Sequence, residues 1–205
     1  MRLFVYPYRL ARKLIRFATW SANKVSVAPG SNISLSVKIG RCSRINSPSY
    51  IGPCSIGSFV ACGGRLIVRS SDHYTSYANM QDWTQKHIIN SRVIVAGKRK
   101  KDVEIKSASW IGDSVIVLAG GSIGYGAVIG AGSVVTKPIP DFAIAVGNPA
   151  RVIRYRFPVH CIEFLLRIKW WNWSLDKIRN NKHFFEIDFS GVDLEMLKDI
   201  EASLR

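Results

Sequence analysis

Four histidines, His73, His87, His160 and His183, are the only side chains of the 205-residue chain whose ordinary titration falls near neutral pH. Such a group suits general-base work, in which an attacking hydroxyl gives up its proton in the transition state. His73 sits in Ser-Ser-Asp-His-Tyr-Thr (70–75), a polar stretch between two regular segments, and His87 lies in the same stretch; both are candidate bases. His160 and His183 fall in a helical tail, where packing or surface roles are expected. Asp72 adjoins His73, but sequence neighbours often point apart, so no dyad is assigned. The four cysteines, Cys42, Cys54, Cys62 and Cys161, form no CxxC pair and have no finger-like spacing. Free, mostly buried thiols without a chemical role are expected.

The elements that must position these groups follow an unusual rhythm. From Ile105 an aliphatic residue returns at every sixth position: Ile111, Val117, Ile123, Ile129 and Val135. Gly112, Gly124 and Gly130 follow directly, and the residue four past each aliphatic is small or compact (Ser109, Val115, Gly121, Ala127, Ser133). Helices repeat near 3.6 and strands at 2, so a sustained period of six indicates a solenoid in which each hexad makes one short strand and one corner. The glycines are expected at corners that call for positive φ. The same beat runs through Val27, Ile33, Ile39, Ile45 and Ile51, with Ser31, Val37, Ser43, Ser49 and Ser55 as the small companions. It loses one residue before Ile56, Cys62 and Val68. That shortening predicts a corner, because inside a strand it would reverse the facing of the side chains. Between about 69 and 102 the rhythm stops in a polar, aromatic and charged insertion too long for a passive connector. The beat ends near Val135, and Pro138 and Pro140 suit an exit from regular strands.

Three segments result: an amphipathic helix at 1–24, the repeat region at 25–157 with its inserted loop, and a helical extension at 158–205. In the first, Leu10, Leu14, Phe17 and Ala18 share one face, with Arg9, Arg12, Lys13 and Arg16 mostly elsewhere. It reads either as a cap on the open end of the solenoid, basic face in solvent, or as an interfacial helix in peripheral contact with an anionic membrane. In the extension Ser174 is a candidate N-cap, and Trp170, Trp171 and Trp173 are expected to anchor helices on the barrel end. The formal charge is +15, and no Asp or Glu precedes Asp72. That field favours a polyphosphate cofactor, acidic headgroups, an acidic glycan or nucleic acid without choosing among them. No apolar run reaches the roughly 20 residues of a membrane span. Arginines interrupt the N-terminal apolar stretch, so no cleavable leader is expected and the expected location is the cytoplasm.

With these repeats, GSVVTKPIPDFAIAVGNPARVIRYRF and the Asp-His-Tyr of the insertion, the chain resembles the hexapeptide-repeat acyltransferases. More narrowly it is similar to the xenobiotic (chloramphenicol- and streptogramin-type) acetyltransferases and to the O-acetyltransferases of surface-polysaccharide gene clusters. The resemblance implies an all-β fold: a left-handed parallel β-helix of about eighteen residues per coil, with a protruding loop and helices at both ends. It further implies a homotrimer with acetyl-CoA sites between subunits.

By that resemblance His73 stands at the position of the catalytic base. Ala131, Thr136, Lys137 and Arg154 stand at the acetyl-CoA contacts: Ala131 leaves room for the pantetheine arm, Thr136 offers a hydrogen bond, and Lys137 and Arg154 suit the phosphates. Asn148 more readily fixes a turn than touches ligand, and Lys98, Arg99, Lys100 and Lys101 read as a solvated patch. A zinc site of three histidines would need three convergent ligands, and only two histidines lie near the groove, so no metal is expected. The HR-x-DW and YPF patterns common in the antibiotic enzymes are missing; the chain reads HYTSYANMQDW, with Asp82-Trp83 displaced downstream. That departure favours direct acetylation of a hydroxyl on a sugar or glycan over a chloramphenicol or streptogramin acceptor. A non-catalytic basic scaffold is the remaining alternative. Nucleic acid is not an expected partner, because aromatic and basic residues do not alternate.

Overall fold

The computed structural model describes residues 5–97 and 103–205, with side chains from Leu14 onward; the basic run Lys98, Arg99, Lys100 and Lys101 lies outside the described residues. The period of six becomes three parallel sheets wound around one core. Face 1 stacks Ser26–Val27, Arg44–Ile45, Ala61–Cys62, Trp110–Ile111, Val128–Ile129 and Ala143–Val146, and ends with an antiparallel strand, Arg151–Tyr155. Face 2 stacks Asn32–Ile33, Tyr50–Ile51, Ile67–Val68, Ile116–Val117 and Val134–Val135. Face 3 stacks Lys38–Ile39, Cys54–Ile56, Val103–Ile105, Ser122–Ile123 and Pro138–Ile139. The second residue of almost every rung points inward, and Ile45, Ile51, Ile105, Ile111, Ile123 and Ile129 are all 2% exposed or less. Burying each such side chain is worth about 1.5–3 kcal/mol.

Two residues before the inward aliphatic lies the small companion, and its serines hydrogen-bond the backbone in the corners. Ser43 Oγ donates to the Gly57 carbonyl (2.7 Å) and accepts the Val60 N–H (3.1 Å). Ser49 Oγ donates to the Asn46 carbonyl (2.7 Å) and accepts the Leu66 N–H (3.2 Å). Both serines are fully buried, so these bonds satisfy groups that would otherwise be costly. The shortened hexad is taken up at Gly52-Pro53, a corner between faces 2 and 3, and Ile51 and Ile56 both stay inside. One expectation fails there: buried Cys54, not Ser55, is the companion residue, because the missing position moves Ser55 to the outward side of its rung.

The glycines after the inward residues have a different reason from the one expected. Those at Gly40, Gly57, Gly63, Gly112 and Gly124 are not in the left-handed region; positive φ falls further along the corner, at Cys42, Phe59, Arg65, Ala108 and Ser114. Close approach of successive coils explains them. A Cβ at Gly112 would lie 2.6 Å from the backbone nitrogen of Ala131 and 2.9 Å from its Cα, and neither can move aside cheaply. Gly112→Ala is therefore expected to destabilise the fold by about 1–3 kcal/mol. Gly191→Ala, with nothing within 4 Å of the added carbon, should change stability by no more than about 0.5 kcal/mol. Urea unfolding of the two variants checks the contrast.

The solenoid also continues past Val135, where the rhythm was expected to end. Pro138–Ile139 pairs with Ser122–Ile123, and Ala143–Val146 pairs with Val128–Ile129. Pro138 is tolerated because its strand is the last of face 3, where no further coil needs its missing N–H. The Gly147–Ala150 turn then reverses the chain into the antiparallel strand.

One helix lies at the start of the solenoid and a helical module along one of its edges. Helix α1 (Val5–Ala22) lies at the start of the first coil, with Trp20 packed against the core. The insertion contains a short helix, α2 (Asp82–His87), where irregular chain was expected. Helices α3 (Val159–Ile168), α4 (Leu175–Asn180) and α5 (Leu194–Ser203) form a second core with Phe164, Leu165, Trp171, Phe184 and Phe189. Ser174 caps α4, accepting the Lys177 N–H at 3.0 Å. This module docks on the edge between faces 3 and 1, against the corner residues Phe59, Ala108, Tyr125 and Phe142. Trp171 is its anchor: it is 2% exposed and stacks on Tyr125 at 4.8 Å. Among the described residues no helix is long and apolar enough to cross a membrane.

Candidate functional site

A shallow groove of about 460 Å3 runs across face 1 and its edge with face 2. Its floor steps through Ala61, Trp110 and Val128, outward residues of successive rungs, and its edge through Gly63, Gly112, Gly130 and Ala131. Small residues keep the edge open, for the reason already given: coils approach too closely there for a side chain. Trp110, 59% exposed, is the one large side chain on its floor. Asp113 lines the groove but is committed to the corner, its Oδ1 accepting the Gly64 N–H at 2.6 Å. Cys62 also borders it. Burial, and secondarily the nearby Cys54, push its thiol up to about 12, so it remains protonated at neutral pH and is no nucleophile.

His73 is exposed and stands at the neck of the inserted loop, which leaves the edge between faces 2 and 3 after Val68. An antiparallel bridge pairs His73 with Ala96. On either side the Tyr74 N–H donates to the Val95 carbonyl (3.0 Å) and the Gly97 N–H to the Asp72 carbonyl (2.8 Å). Sequence reasoning missed the residue that secures this neck. Asp82, in the first turn of α2, accepts the N–H groups of both Val95 and Ala96 through Oδ1, each at 2.8 Å. The displaced Asp82-Trp83 pair was visible in the sequence, but nothing local tied it to the strand bearing Ala96.

The other histidines are engaged elsewhere. His87 donates from Nδ1 to the Trp83 carbonyl (2.9 Å) and stacks on the Trp83 ring at 5.2 Å. His160 donates to the Val192 carbonyl at 2.8 Å, and His183 lies 3.1 Å from the Ser203 hydroxyl. None of the four cysteines takes part in a disulfide. Among the described residues no group of three or more His, Cys, Asp or Glu side chains converges.

Within one chain the candidate residues divide into two sets. Ala131 belongs to the edge between faces 1 and 2, beside Gly112, and Arg154 continues the outer column of face 1, opposite Ile144. Thr136 and Lys137 follow Val134–Val135 on the edge between faces 2 and 3, the edge from which the His73 loop departs. Lys137 and Arg154 are exposed, and neither meets a carboxylate among the described residues.

Fold and period together define a hexapeptide-repeat parallel β-solenoid. No protein-family model matches the chain. It is 37% identical over 133 residues to a chloramphenicol acetyltransferase of Klebsiella aerogenes, covering 60% of this chain and 61% of that protein. It is 38% identical over 138 residues to a chloramphenicol acetyltransferase of Escherichia coli, covering 63% of this chain and 64% of that one. The chain thus spans less than two thirds of the length of these curated relatives. The crystal structure of a hexapeptide-repeat-containing acetyltransferase from Vibrio cholerae superposes with a TM-score of 0.53 at 25% identity, covering 64% of this chain and 70% of that one.

Proposed function

We propose that the protein is an acetyl-CoA-dependent O-acetyltransferase that transfers acetyl directly to a hydroxyl of a sugar or glycan intermediate in the cytoplasm, with His73 as general base. The observation that carries the reading is the pairing of an open, small-residue groove on face 1 with a histidine held on a secured loop neck. The similarity to enzymes named acetyltransferases supports the same class. The residues present fit coenzyme A: Gly112, Gly130 and Ala131 leave a slender channel, and Lys137 and Arg154 are exposed cations suited to phosphates. Bound there, acetyl-CoA supplies the activated acyl group. His73 takes the proton of the acceptor hydroxyl as it attacks. No thiol of the chain is required as a relay, in keeping with the protonated Cys62.

The two sets of residues complete one site when copies pack side by side, the His73 edge of one against the face 1 groove of the next. Homotrimerisation is part of the proposal. It agrees with the many exposed apolar side chains of the insertion (Trp83, Ile88, Ile89 and Ile94, each more than half exposed). Trp83 also offers a flat aromatic surface suited to a sugar ring.

A second reading, acetylation of chloramphenicol or a streptogramin, is favoured by the names of the relatives. Release of free thiol from acetyl-CoA, measured across chloramphenicol, a streptogramin, nucleotide sugars and short glycans, separates the two. Turnover on sugars or glycans is expected; turnover confined to an antibiotic would replace the acceptor class. Neither turnover nor coenzyme A binding would leave a non-catalytic scaffold.

A further inference from the structure

The first helix docks by its polar side. Arg16 donates from Nη1 to the carbonyls of Ile33 (3.1 Å) and Ser34 (3.0 Å), and its guanidinium lies over Trp20 at 4.6 Å. Trp20, one turn on, packs against the end of the core. The Arg16–Trp20 side of α1 is therefore the one turned to the solenoid; Leu14, 63% exposed, and Ile15, 66% exposed, point away from it, and Phe17, 73% exposed, stands on the flank, bordering a concavity with Trp20 and the first coil. The helix covers the start of the solenoid, and Arg16, expected in solvent with the other basic residues, is instead part of the dock beside Trp20. An amphipathic helix that turns its apolar side away from its own domain needs another apolar phase.

Charge selects that phase. The first 71 residues contain no carboxylate side chain, whereas Arg2, Arg9, Arg12 and Lys13 accompany the helix in sequence. Lys24, Lys38 and Arg44 are exposed on the first two coils. We propose that α1 seats this end of the solenoid on an anionic lipid surface, with Leu14 and Phe17 inserted at the level of the headgroups and the positive field of this carboxylate-free end drawing it to acidic lipid. This inference does not depend on the proposed reaction.

Co-sedimentation of the full chain with phosphatidylcholine vesicles, with and without phosphatidylserine, tests it. The wild type should bind the acidic vesicles, release in high salt, and bind phosphatidylcholine alone weakly. Leu14→Glu/Phe17→Glu should lose at least about tenfold in affinity, and Arg12→Gln/Lys13→Gln about fivefold for each charge removed. Thermal melting and sedimentation velocity of each variant keep the result interpretable, as Leu14 and Phe17 are exposed and should not affect folding. Equal binding of wild type and Leu14→Glu/Phe17→Glu, or no binding to acidic vesicles, would overturn the proposal. So would a variant that sediments as a smaller species, since a second copy of the chain would then be what covers the helix.

Discussion

His73→Ala is expected to lower acetyl transfer by about 10^2–10^4-fold, the usual contribution of a positioned general base. Its melting temperature should not change, because the side chain is exposed and the neck is held by backbone bonds from Tyr74 and Gly97. His87→Ala should leave turnover within a few-fold of wild type, since His87 is spent on a bond and a ring contact within its own helix. Asp82→Ala provides the structural counterpart. Removing the carboxylate releases two N–H groups beside His73, each charge-assisted bond being worth about 1.5–3 kcal/mol. The expected signature is a fall in kcat together with faster amide exchange at Val95 and Ala96, which His73→Ala should not produce. Unchanged turnover in His73→Ala would remove His73 as base.

The largest expected loss of stability is at Trp171→Ala, about 3–5 kcal/mol for deleting a buried large aromatic side chain. Trp171 is almost completely enclosed, stacks on Tyr125 of the solenoid and contacts Phe142, while its carbonyl accepts from Arg41 Nη2 at 3.2 Å. It therefore holds the helical module to the solenoid at Arg41, Tyr125 and Phe142, corners along one edge. Trp173→Ala should cost less, as that ring is only part-buried. Urea denaturation followed by circular dichroism measures both. A loss below about 1 kcal/mol for Trp171→Ala, well outside the range for buried aromatics, would mean that the module docks through other contacts.

A six-residue period is a local signal repeated many times, so the solenoid, its inward residues and the presence of a corner in the shortened hexad were legible from the sequence alone. Ser174 as a cap was legible because a cap depends on near neighbours, and the tryptophans were legible as anchors, but the module they hold packs along an edge of the solenoid and not on its end as expected. Asp82 was not, because its partners Val95 and Ala96 lie beyond the turn of the loop. The corner glycines were recognised but explained by φ, whereas the distance from one coil to the next decides them. The strands after Val135 were lost because their spacing shortens, and only pairing with Ser122–Ile123 and Val128–Ile129 recovers their register.

The division of the candidate site follows the same logic. The family resemblance pointed to His73, Ala131, Thr136, Lys137 and Arg154, but which edge of the prism each occupies depends on corners counted around an insertion. Likewise, hydrophobic periodicity identified the two sides of α1, while only its packing decided which one met the solenoid. The sequence by itself determined the repeat and the chemistry available, because both reside in residue type and spacing. The tertiary structure decided the facing of every element against its neighbours, because that is set by contacts between residues far apart in the chain.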